Sequence, residues 1–170
     1  MTIQCVACIV SALFMMCLPD GAQPPKRGAP CQAGEPHPLA IIIDHSPPNY
    51  AGVGPWIHIT FKNVSDHTLK IRKDNPEVLY LADIVDSAGR KVALTEVGRS
   101  FYSPPTPTSV FVSSGEITAD VDLAPGQDLQ SIWGVDAYYD MSKPGKYRVT
   151  VSRTFENQTI CSNTIELHVE

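Results

Sequence analysis

Histidine, carboxylate, serine and cysteine are the side chains that could do chemistry here, and their spacing decides whether they do. The histidines are His37, His45, His58, His67 and His168. A zinc or copper centre needs three or four ligands converging on one point. No HxH or HExxH spacing occurs, and Asp44-His45 is only an adjacent pair at a strand end. Glu116, Asp120 and Asp122 are close in sequence, but calcium takes six or more oxygens and no EF-hand-like loop surrounds them. Strand alternation accounts for these carboxylates as a wet face. A nucleophile needs a nearby base and an oriented partner. The chain carries no G-x-S-x-G, no P-loop and no dinucleotide fingerprint. The expectation is a protein without metal, cofactor or catalytic residues, and not an enzyme.

Binding chemistry is better represented. Arg99–Phe111 reads RSFYSPPTPTSVF. Pro104, Pro105 and Pro107 stiffen this connection, so it loses less entropy on binding, and Phe101 and Tyr102 supply aromatic area. The competing expectation is a sheet-crossing connection whose aromatics cover the edge of the core. Trp133, Tyr138 and Tyr139 form a second aromatic group that could stack on sugar rings, against burial in the core. The formal net charge of −5 and the lack of any lysine–arginine block argue against nucleic acid as a partner. Asn63-Val64-Ser65 and Asn157-Gln158-Thr159 match the N-glycosylation acceptor, which matters in a eukaryotic source. Asparagine at these positions also suits β-turns.

The N-terminus bears on compartment. Ile3–Leu18 is almost continuously apolar and uncharged, and Pro19-Asp20-Gly21 breaks it. Its length suits the core of an export signal better than a spanning helix. Residues 1–22 are expected to be a signal peptide cleaved after Ala22, with the terminal amine as the positive end. Cys5, Cys8 and Cys17 would leave with it, so Cys31 and Cys161 remain as an even pair in an exported chain. Such a pair invites a disulfide clipping the two ends of the domain together. The protein is expected to be secreted or periplasmic, with no stable membrane insertion after cleavage.

The elements that would position these residues are short. Residues 23–38 are rich in proline and glycine and read as a linker. From Leu39 onward the chain is a series of alternating segments separated by turn residues. They are Leu39–Ile43, Trp56–Phe61, Thr68–Lys73, Val78–Val85, Arg90–Val97, Glu116–Leu123, Asp128–Trp133, Lys146–Arg153 and Thr164–Val169. In the second, Ile57, Ile59 and Phe61 share the inward face. Gly89 can take the left-handed conformation of a tight hairpin. No segment holds a 3.6-residue apolar period, and fifteen prolines argue against helices. The pattern is all-β: an antiparallel β-sandwich of about seven to nine strands over residues 39–170.

Three motifs, in order, resemble an immunoglobulin-like sandwich of the exported bacterial kind: FKNVSDHTLKI, LAPGQDLQ and KPGKYRVTV. The first resembles a strand–turn–strand opening. The second resembles the turn into the middle strands, and the third a late strand entered by a tyrosine. Antibody-type domains carry a tyrosine corner two residues before the second core cysteine. Here Tyr147 stands two before Val149, so the chain departs from the antibody pattern. The Tyr147 hydroxyl is expected to bond a nearby backbone group. A fainter resemblance is to the small intracellular proteinase inhibitor domain of bacilli, with no inhibitory residue carried over. The resemblance implies a non-enzymatic binding or accessory module, with a protein or glycan as partner and protein–protein interaction foremost. The rivals are a protease inhibitor presenting residues 99–111 and a carbohydrate-binding module using Trp133, Tyr138 and Tyr139.

Overall fold

Alternation between apolar and polar residues makes one face of each segment stable only against another layer. The computed structural model describes residues 37–45, 54–102 and 119–170. The expected signal at 1–22, nearly all of the linker, Cys31, Glu116, Pro104, Pro105 and Pro107 lie outside the described residues. The strands are β1 (Leu39–His45), β2 (Trp56–Asn63), β3 (Leu69–Lys73), β4 (Leu81–Asp86), β5 (Ala119–Leu123), β6 (Asp128–Gly134), β7 (Gly145–Phe155) and β8 (Gln158–Val169). Two helices, α1 (Pro76–Leu79) and α2 (Glu96–Tyr102), and a 3-10 turn at Val135–Ala137 complete the described elements.

The fold is all-β and sandwich-like. One ribbon runs β4-β7-β8-β1-β2-β6, and β3 and β5 pair separately. Among the described residues all strand pairings are antiparallel except one: β1 runs parallel to β8, meeting it at Ile41 and Ser162. A wholly antiparallel sandwich was expected, so the parallel seam is a correction. Asn163 reinforces it, accepting from Ile43 N at 2.8 Å and donating to Ile43 O at 2.9 Å. The ribbon folds over at this seam. Side chains from its two halves then meet in the core, the Arg153 guanidinium of β7 lying 4.4 Å from the centre of the Phe61 ring of β2.

The core lies between these halves. Ile41, Ile43, Ile57, Ile59, Phe61, Val149, Val151 and Leu167 are among its buried residues. Each is on the phase of its strand that the alternation assigns inward. Tyr147 is buried too, and its hydroxyl donates to Lys143 O at 2.6 Å, the backbone partner expected. Asn63 is fully buried at the end of β2. Its amide donates to His67 O and Leu123 O, both at 2.8 Å, and its oxygen accepts from Ser65 N and Oγ. The Asn-Val-Ser turn is therefore a structural clamp. A glycan on Asn63 would break it, whereas Asn157 is exposed at the β7–β8 turn with φ +66°.

Two expected strands are corrected. Val78–Val85 begins as helix, because Pro76 occupies the first turn of α1, where its missing N–H costs nothing. Only Leu81–Asp86 is strand. Arg90–Val97 forms isolated bridges, Val85 with Lys91 and Leu94 with Tyr139. Gly89 does turn the chain, with φ +77°, and donates to Asp86 O at 2.9 Å. Thr95 then starts α2, its Oγ1 accepting from Gly98 N at 2.9 Å. Helices this short show no apolar period.

Candidate functional site

The two aromatic groups, some thirty residues apart in sequence, meet as one cluster. Phe101 and Tyr102 end α2, and Trp133, Tyr138 and Tyr139 come from β6 and the turn after it. Ring centres lie 5.2 Å apart for Phe101–Tyr102, 5.6 Å for Phe101–Tyr138, 5.9 Å for Tyr102–Tyr138 and 6.3 Å for Trp133–Tyr139. Most are tilted or edge-on, as ring quadrupoles favour. Two local contacts set the cluster. Thr95 N donates to Tyr138 O at 3.0 Å, and Thr95 Oγ1 donates to Ala137 O at 2.7 Å. Gly98 then lets α2 approach, since a β-carbon there would stand 2.0 Å from Tyr138 O.

Burial decides what the cluster can do. Trp133 is 2% exposed and Tyr139 7%. Tyr139 accepts from Ala82 N at 3.2 Å, which ties the cluster to β4. Burial raises the Tyr102 hydroxyl well above its ordinary range. Burial, reinforced by the negative charge of the nearby Glu77 carboxylate, pushes Tyr138 up to about 12. Trp133 and Tyr139 are buried among these tilted and edge-on rings, so a sugar has no open ring face at either. The cluster is part of the hydrophobic core and fastens α2 and the 3-10 turn to β6.

The accessible face lies on the other side of the same sheet. Along β1, β2 and β6 the outward residues fall in register. Asp44, His58 and Ile132 make one row, and Ile42, Thr60 and Gln130 the next. Trp56 lies opposite Gly134 at one end. Ile42 is 50% exposed, Trp56 45% and Ile132 57%. Asp44, His58, Thr60, Gln130 and Ile132, together with Lys73, Asp74 and Pro76, line an open cleft of about 580 Å³.

The expected binding residues are thus gathered but mostly covered. Trp56, Ile42 and Ile132 were not expected to bind, although a signal was present. Once Ile57, Ile59 and Phe61 face inward, Trp56 falls on the wet phase of β2. The remaining chemical candidates fall to ordinary roles. His58 and His168 are exposed, as the alternation implied. Asp120 and Asp122 stand opposite Arg72 and Lys70 across the β3–β5 ladder. Among the described residues, no three His, Cys, Asp or Glu side chains gather as metal ligands. No helix among them is long and apolar enough to cross a membrane. No protein-family model matches the chain, and no curated protein matches its sequence.

Proposed function

We propose that the chain is an exported, non-enzymatic, immunoglobulin-like binding module that meets its ligand with the outward face of β1, β2 and β6. One observation carries this: Ile42, Trp56 and Ile132, three large apolar side chains, are each about half exposed on one sheet face. Scattered exposed apolar residues are normal, but three large ones on one face of three adjacent strands, interleaved with polar residues, support an interaction surface. The tyrosine corner at Tyr147 supports the immunoglobulin-like affinity. The inhibitor alternative rests on the stretch after Tyr102, outside the described residues.

A photo-cross-linking side chain at Ile132, compared with one at Lys146 on the other half of the sandwich, tests the face. The expected result is a discrete adduct at position 132 in the producing cell's envelope, outcompeted by excess unmodified protein. Equal labelling at both positions, or none, overturns the proposal. Export carries a separate proposal, a bridge between Cys31 and Cys161. By the chain-entropy model so long a loop allows at most about 4–5 kcal/mol. Intact mass with and without reductant reads the bridge directly, and two alkylatable thiols in the native exported protein would refute it.

A further inference from the structure

Two glycines shape the end of the exposed face around Trp56. A β-carbon on Gly134 would stand 3.7 Å from Trp56 Cζ3 and 3.8 Å from Cη2. These are ordinary van der Waals distances, so the six-membered ring lies beside Gly134 of the neighbouring strand with room left for a methyl group, and Trp56 is 45% exposed. The same point is 3.5 Å from Asp136 Oδ1. Gly54 makes room for that carboxylate: a β-carbon there would stand 1.7 Å from Asp136 Oδ2. The Asp136 carboxylate and the Trp56 ring thus both lie within van der Waals reach of one point beside Gly134, and a larger residue at Gly54 would displace that carboxylate.

From these observations we infer that Trp56 and Asp136 form the anchoring subsite of a saccharide-binding platform, continued along β2 by His58 and Thr60 with Asp44 of β1 and Gln130 of β6 beside them. This rests on the proposal that the outward face of β1, β2 and β6 is the binding surface. The chemistry selects a polyol. A pyranose offers an apolar C–H face that packs on an aromatic ring. It also offers vicinal hydroxyls that donate to a carboxylate and exchange hydrogen bonds with imidazole, amide and hydroxyl groups. Each row on this face mixes such a group with an apolar neighbour: Asp44 and His58 with Ile132, Thr60 and Gln130 with Ile42. A protein hot spot instead centres on a desolvated anchor within an apolar core, and no row here is wholly apolar. Outward residues along β2 recur every second position, about 6.6–6.8 Å apart. Trp56, His58 and Thr60 are therefore spaced to meet successive parts of an extended glycan.

Native electrophoresis of the purified domain tests this, in gels holding soluble mixed-linkage β-glucan, xylan, galactomannan or starch, with pull-down on chitin and peptidoglycan. At least one polymer should retard or retain the protein and shift its tryptophan emission. Its oligosaccharides should bind more tightly with length from one to three sugars. Trp56→Ala should weaken binding by about tenfold or more, the scale of one lost stacking contact. Asp136→Ala should weaken it less, and His168→Ala, on the other half of the sandwich, should not. Trp56 is exposed, so a melting curve shows directly whether its variant stays folded. Silence with every polymer overturns the inference, as does binding that survives Trp56→Ala. A competed protein adduct at position 132 with all glycans silent would keep the binding face and sink the saccharide. Silence in both experiments sinks both.

Discussion

Trp56 and Trp133 lie on neighbouring strands one pair apart, Trp56 opposite Gly134 and Trp133 opposite Ile57. One is 45% exposed and the other 2%. The difference is the phase of the pleat, since successive side chains point to opposite faces. Inward, Trp133 meets Tyr138 and Tyr139 and becomes part of the core. Outward, Trp56 stands opposite Gly134 of β6 and is 45% exposed. The same residue type, in almost the same place, holds the fold on one side and offers a surface on the other. Residue chemistry alone did not separate these roles; the direction of the side chain did.

The comparison breaks first at Trp133. Trp133→Ala should cost about 3–5 kcal/mol, the usual result of emptying a buried aromatic site, read as a drop in the denaturant midpoint. A cost under about 1 kcal/mol would mean the cluster is not a core. Next comes Gly98→Ala, which drives a β-carbon into Tyr138 O. Overpacking of this kind should cost about 1–3 kcal/mol and loosen α2, visible as faster amide exchange at Thr95–Tyr102. Tyr147→Phe, outside both regions, supplies a reference. Losing its bond to Lys143 O should cost about 0.5–1.5 kcal/mol, and an unchanged melting curve would reassign that hydroxyl.

Alkali sharpens the contrast. Tyr138 titrates higher folded than unfolded, so the folded state holds its proton when the unfolded chain has lost it. The stability this contributes is complete below about pH 10, the free tyrosine value, and is lost as pH rises through about 12. Tyr138→Phe should flatten that part of the pH–stability curve. The smallest effect on stability is expected at Trp56→Ala, within about 0.5 kcal/mol as for an ordinary surface site, even though it should cost the most in binding. A Trp56 variant that melts as early as the Trp133 variant would erase the distinction.

Much of the architecture was legible in the sequence because strand alternation is local. Ile57, Ile59 and Phe61 declare their face within six residues, and Tyr147, Val149 and Val151 do the same in β7. Helices α1 and α2 were not legible. Four and seven residues are too few for a helical period, and their apolar content reads equally well as strand. The signals that mark them, Pro76 at a first turn and Thr95 as a cap, are single residues that also occur in loops. The parallel seam was invisible as well, since Ile41 and Ser162 are joined by packing of chain ends far apart in sequence.

By itself, then, the sequence determined that the chain is β-rich, which residues of most strands face the core, and that no familiar catalytic motif is present. Those properties follow from side-chain chemistry at short spacing. Only the tertiary structure decided that Phe101 and Tyr102 join Trp133, Tyr138 and Tyr139 in one buried cluster. It also decided that Trp56 shares an open face with Ile42 and Ile132. The physical reason is the same in both cases. Which side chains meet across strands depends on register and on how the ribbon folds over itself. Those are set by burial summed over the whole core, not by any local run of residues.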